Sequence, residues 1–100
     1  MRALILAPRA FDDIRSASRW YDNQREGLGL AFEAAFEAAA ERVCRMPLSG
    51  KAVEAPFRRV TLRRFPYDMF YEFDAQRVVV ILVFHNSRNP AAALVRLREH

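Results

Sequence analysis

The sequence predicts an α+β domain: an N-terminal strand, an αα-hairpin, a three-stranded antiparallel meander that completes one small sheet, and a short C-terminal helix. Three observations carry this prediction. From Phe11 to Met46 the apolar residues recur at steps of three and four, which is the period of a helix face. From residue 57 onward they alternate, ending in the run VVVILVF at 78–84, which is the period of a strand followed by a strand buried on both sides. Proline and glycine stand at each change of period, where the backbone must leave a regular element.

Residues 2–7, RALILA, read as a short strand that Pro8 ends. Pro8 suits the first turn of a helix over about 9–25, with Phe11, Ile14, Ala17 and Tyr21 on one face and Trp20 beside them. Trp20 and Tyr21 are expected as core on the seam between helix and sheet. Gly27 is placed just past the helix end, in the left-handed region. A second helix, about 29–46, aligns Phe32, Phe36, Ala39, Val43 and Met46, and its Glu41 precedes Arg45 by four residues, the favourable order for a helical ion pair. Pro47 stops it, and PLSGKAVEAP reads as a loop. Strands are expected at 57–64, 68–73 and 78–84, with Val60 and Leu62 facing the helices and Arg59, Thr61 and Arg63 facing away. Pro66 marks a bend or a sheet edge, and DAQR is a tight turn. Pro90 opens a helix through AAALVRLR.

The chain has 100 residues and a hydrophobic content of 52%, which is the size and composition of one ordinary domain, 1–100. The apolar runs are too short for a signal segment or a membrane span, so a soluble cytoplasmic protein is expected. One cysteine, Cys44, excludes an intramolecular disulfide, and two histidines without ligand spacing predict no metal site and no cofactor. The formal net charge is +4, and its placement is informative. Residues 1–50 hold seven basic and seven acidic side chains, whereas residues 51–100 hold nine and five, so 9 − 5 = +4 lies in the second half. Lys51, Arg58, Arg59, Arg63, Arg64 and Arg88 form its basic group, which suits either a solvated face or an anionic partner.

Element order and three motifs, WYDNQREGLG, FPYDMFY and HNSRNP, resemble the RelE/ParE toxin superfamily of type II toxin–antitoxin modules, with the ParE branch the closer match. The resemblance covers essentially the whole chain. It implies a cytoplasmic, plasmid-stabilising type of toxin that inhibits DNA gyrase and growth and is neutralised by a cognate antitoxin in a hetero-oligomer. The other branch implies a ribosome-dependent mRNA endonuclease, and fold alone does not choose between them.

Arg58, Arg59, Arg63, Arg64 and Arg88 are the candidate binding residues for target or antitoxin. Under the nuclease alternative, Arg64, His85 and Arg88 would supply cations for a pentavalent phosphate and one group titrating near neutrality. That set is short of an acid–base partner, since Lys51 is the only lysine and no tyrosine follows Arg88. The segment HNSRNP therefore stays open between a polar turn, a docking site and a catalytic site.

Overall fold

A computed structural model describes residues 1–87 and 89–100. Its elements follow the order β1 (Ala3–Leu6), α1 (Pro8–Gln24), α2 (Leu28–Arg45), a 3-10 turn (Pro47–Ser49), β2 (Lys51–Ala52), β3 (Arg58–Thr61), β4 (Tyr67–Phe73), β5 (Arg77–His85) and α3 (Pro90–Arg98). One mixed sheet has the strand order β1-β5-β4-β3-β2. β1 runs parallel to β5, and the remaining pairs are antiparallel. The α+β prediction holds, with one strand more than expected. Lys51 and Ala52, expected in a loop, pair with Arg59 and Arg58 as an edge strand. Two residues carry too short a pattern to reveal a strand in the sequence.

The helix hairpin forms because each helix has an apolar stripe that only the other helix and the sheet can bury. Ala10, Ile14 and Ala17 of α1 and Phe32, Phe36, Ala39 and Val43 of α2 enter one core with Met69, Tyr71, Val78 and Val80. The hairpin turn is tied by Asp22, whose Oδ1 accepts the backbone N–H groups of Gly27 at 3.0 Å and Gly29 at 3.1 Å. Gly27 holds φ 92°, where a side chain would be strained. Glu41 and Arg45 form the expected ion pair at 2.8 Å.

Three expected core residues lie outside the core. Phe11 is 49% exposed, Trp20 56% and Met46 63%. The buried stripe of α1 runs through Ala10, Ile14, Ala17 and Tyr21, so Phe11 and Trp20 each sit one residue, about 100° of helix, off its centre. Phe11 is instead covered on one side by the Arg15 guanidinium, and Trp20 meets Tyr21 edge-on. Met46 has left the helix: it is the C-cap residue, with φ −135°.

Central β5 is buried on both faces, as its unbroken apolar run predicts. Its register contains a step. Phe70 pairs with Leu82 while Tyr71 pairs with Val80, so Ile81 is an extra residue, a β-bulge. The bulge reverses the side-chain phase. Val78, Val80 and Val83 face the hairpin, while Ile81, Leu82 and Phe84 face the other way, where Ala93 and Leu97 of α3 cover them. Asn89 caps α3 by accepting the Ala91 N–H at 3.0 Å.

Tyr71 fastens the 3-10 turn to the sheet. Its hydroxyl donates to the Pro47 carbonyl at 2.6 Å and accepts the Gly50 N–H at 3.0 Å. A Cβ on Gly50 would collide with that hydroxyl and with the Arg59 carbonyl. Tyr71 is fully buried, so Tyr71→Phe leaves two buried groups without partners and is expected to cost roughly 1–3 kcal/mol. Urea unfolding of the two proteins measures this difference directly.

Candidate functional site

The basic residues predicted to act together divide into two kinds. Arg58 and Arg59 lie on β3 and turn to partners within the fold. Arg58 donates to the Gly50 carbonyl at 2.7 Å, and Arg59 pairs with Asp68 at 3.1 Å. Asp68 is a 6% exposed carboxylate on the sheet face opposite the hairpin, and it also accepts the Thr61 hydroxyl at 2.7 Å. Arg63 and Arg64, by contrast, stand exposed on the β3–β4 turn. Strand β3 is shorter than the sequence predicts, ending at Thr61 rather than residue 64. Both arginines thus belong to the turn and escape strand alternation.

That turn is well anchored. Leu62 and Phe65, on either side of the arginines, are buried in the hairpin-side core. The Leu62 N–H donates to the Tyr67 carbonyl at 2.9 Å, and the Tyr67 N–H donates to Phe65 at 2.8 Å. Arg64 adopts φ 72°, a left-handed conformation that a tight reversal between two buried neighbours imposes, and its guanidinium lies over the Phe65 ring. FPY is therefore structural, as predicted: Phe65, Tyr67, Tyr21 and Phe32 form one aromatic cluster. A turn held this firmly loses little conformational entropy when its side chains engage a partner.

β5 ends beside the same turn. The Asn86 N–H donates to the Pro66 carbonyl at 2.8 Å, and the His85 ring packs edge-on against Tyr67. His85 Nδ1 accepts the Ser87 N–H at 3.2 Å, which in the neutral ring leaves the proton on Nε2. The fold thus brings His85 and the Arg64 turn to one end of the sheet, as the sequence suggests. Arg88 lies outside the described residues. Lys51 sits on β2 at the sheet edge. Among the described residues, no group of three or more His, Cys, Asp or Glu side chains is placed to hold a metal.

Two polar features were not foreseen. One is Asp68, an acid opening an otherwise aromatic strand. The other is Asp13, which joins three elements. Its carboxylate accepts the Val83 N–H at 3.0 Å and the Arg96 guanidinium at 3.0 Å, tying α1 to β5 and α3. The available signal was position: Asp13 shares the helical face of Ala10, Ile14 and Ala17, where a carboxylate needs a buried partner. Burial raises the Asp13 pKa above its usual 3.8, against the opposing pull of the Val83 N–H and Arg96. A proton is therefore held more tightly in the folded chain than in the unfolded one. The corresponding stability is fully present below 3.8 and is lost as pH rises through the folded value. Asp13→Asn removes this loss, so its stability relative to the parent is expected to improve between pH 3.5 and pH 6, whatever the cost of losing the Arg96 ion pair. Denaturant unfolding at both pH values checks the sign.

The sequence matches the family model described as the ParE toxin of the type II toxin–antitoxin system parDE, over residues 4–90. The chain belongs to the ParE toxin family. Among solved structures it is similar to one described as the chromosomal ParDE toxin–antitoxin system from P. aeruginosa, with a TM-score of 0.75 at 16% identity, covering 85% of this chain and 96% of that one. At that identity the likeness concerns the fold. No protein with a curated description matches the sequence. The α+β topology expected from the sequence is thus shared with that solved structure. No helix among the described residues is long and apolar enough to cross a membrane.

Proposed function

We propose that this ParE-family chain acts in the cytoplasm as an inhibitor of DNA gyrase, without chemistry of its own, and that a cognate antitoxin neutralises it by forming a hetero-oligomer. The observation that carries this reading is the anchored turn that presents Arg63 and Arg64 to solvent on a chain of net charge +4. Guanidinium groups on a rigid support suit bidentate pairing with carboxylate or phosphate. Arg58 and Arg59, on the strand that leads into the turn, each spend a donor inside the fold, on the Gly50 carbonyl and on Asp68.

The nuclease reading rests on His85, which lies at the same sheet end as Arg64. Its Nδ1 is occupied by Ser87, which leaves Nε2 as the nitrogen facing any substrate. In this tautomer Nε2 presents an N–H and no lone pair, so His85 is not placed to act as a general base.

Purified protein separates the two. Gyrase-dependent supercoiling of relaxed plasmid is expected to fall with increasing toxin, and ribosome-bound mRNA is expected to stay whole. Normal supercoiling together with a ribosome-dependent cut that His85→Ala abolishes would replace the first reading with the second.

A further inference from the structure

The two edges of the sheet are guarded unequally. At one edge β2 is two residues long and carries Lys51, and a short, charged strand is a poor template for further pairing. At the other edge β1 has four residues, ALIL, with no charge, proline or bulge among them. Its hydrogen bonds to β5 show which backbone groups stay open. The Ala3 N–H donates to the Gln76 carbonyl at 3.0 Å, and the Ala7 N–H donates to the Val80 carbonyl at 2.9 Å. Backbone groups alternate in direction along a strand, so Ile5 also faces β5, while Leu4 and Leu6 face outward. Each of these leucines presents an N–H and a carbonyl to the side where the sheet ends.

The side chains of β1 are as open as its backbone. Leu4 is 42% exposed and Ile5 40%, on opposite faces of the strand. α1 crosses over β5, where Asp13 accepts the Val83 N–H, and leaves both partly uncovered. The arginines on either side of β1 are held within the fold. Arg2 Nε donates to the Asp74 carbonyl at 2.6 Å, and Arg9 pairs with Glu99 at 3.8 Å. β1 therefore offers an acidic segment no complementary charge, whereas an identical neutral strand matches it.

We propose that two copies of this chain pair through β1, antiparallel, about a two-fold axis at Ile5. In that register Leu4 of each copy lies opposite Leu6 of the other. The two leucines exchange both N–H···O bonds, which gives four across the axis. Ile5 faces Ile5 as a non-bonded pair, the kind whose side chains approach most closely. The ladder ends there. The Arg2 N–H already donates to the Cys44 carbonyl at 3.2 Å, and its counterpart in the other copy, Pro8, has no N–H. So short a contact falls at the small end of specific interfaces, and a dissociation constant of roughly 1–100 μM is expected. Two strands, β5 and β4, separate β1 from β3 and its arginine turn, so the proposal is independent of the gyrase reading.

Sedimentation of the purified toxin over that concentration range is expected to show a monomer–dimer equilibrium. Ile5→Lys sets two ammonium groups face to face on the axis and is expected to weaken the dimer at least tenfold. In oxidised Ile5→Cys protein the two thiols meet across the axis and are expected to form an intermolecular disulfide. Leu4→Cys, at a position about as exposed, is expected to stay uncross-linked, because its two copies lie diagonally across the ladder. A toxin that remains monomeric throughout the range overturns the proposal, as does a dimer that Ile5→Lys leaves intact. Faster cross-linking of Leu4→Cys than of Ile5→Cys assigns a different register and also overturns it. If the Ile5→Lys chain fails to fold, the cross-linking pair decides alone. Protection of the Leu4 and Leu6 amides from hydrogen exchange only when antitoxin is added gives this edge to that partner, and the proposal falls.

Discussion

Phe32→Ala is expected to lower stability by about 3–5 kcal/mol, the usual cost of deleting a buried aromatic ring and leaving a cavity. Phe32 is fully buried. It stacks on Tyr21 of α1 and meets Phe65 and Tyr67 edge-on, so it joins the two helices to the β3–β4 turn. Such ring pairs add roughly 0.5–1.5 kcal/mol each beyond area burial, which places the result at the upper end of the range. A domain of this size is stable by only about 5–15 kcal/mol, and each kilocalorie moves its Tm by roughly 4–8 °C. A fall of some tens of degrees is therefore expected, and thermal unfolding followed by circular dichroism measures it. The control is Phe11→Ala. Phe11 belongs to the same residue type but is half-exposed, and its loss should stay within about 0.5 kcal/mol. Equal effects from the two substitutions would mean that the burial of Phe32 is not what holds the hairpin to the sheet.

Arg63→Glu combined with Arg64→Glu is expected to abolish growth inhibition on induction while leaving the fold in place. Both side chains are exposed on the turn, and among the described residues neither contributes a hydrogen bond on which the turn depends. The turn is held by Leu62, Phe65 and the backbone bonds around Tyr67. Surface substitutions of this kind shift stability by about 0.5 kcal/mol or less each, so Tm should move by a few degrees at most. The double reversal takes the formal charge from +4 to 0, because each arginine-to-glutamate change subtracts two. A loss of activity from net charge alone is separated by a second pair, Arg45→Glu with Arg77→Glu. These residues carry the same change of charge to the opposite end of the sheet, where Arg77 pairs with Ala3. The control pair should retain toxicity. Loss in both pairs would make long-range steering, rather than a docking turn, the role of the positive charge. Full toxicity in the first pair would remove the turn from the interaction altogether.

Much of the fold could be read from the chain because its signals are local. The stripes Ile14–Ala17–Tyr21 and Phe32–Phe36–Ala39–Val43 repeat with the helix, Pro8, Pro47 and Pro90 mark changes of conformation, and VVVILVF marks a strand covered on both sides. Each is a periodicity or a backbone constraint that a few consecutive residues impose by themselves. The family was legible for the same reason, since its motifs lie at the ends of these elements. The two-residue strand β2 was not, because it exists only through pairing with β3.

What only the tertiary structure decided concerns phase and partnership. The bulge at Ile81 turns Val83 towards the hairpin and Phe84 towards α3, a reversal that an all-apolar run cannot announce because every residue in it suits either face. The arginines of the second half are identical letters in the sequence. Their difference arises because Gly50 and Asp68, at separations of eight and nine residues, meet Arg58 and Arg59, while the reversal between Leu62 and Phe65 turns Arg63 and Arg64 outward. Asp13 and Arg96 are 83 residues apart, and no local pattern links them. Burial makes such a pairing necessary, since an isolated charge in that position is costly, but only the folded chain determines which partner supplies it.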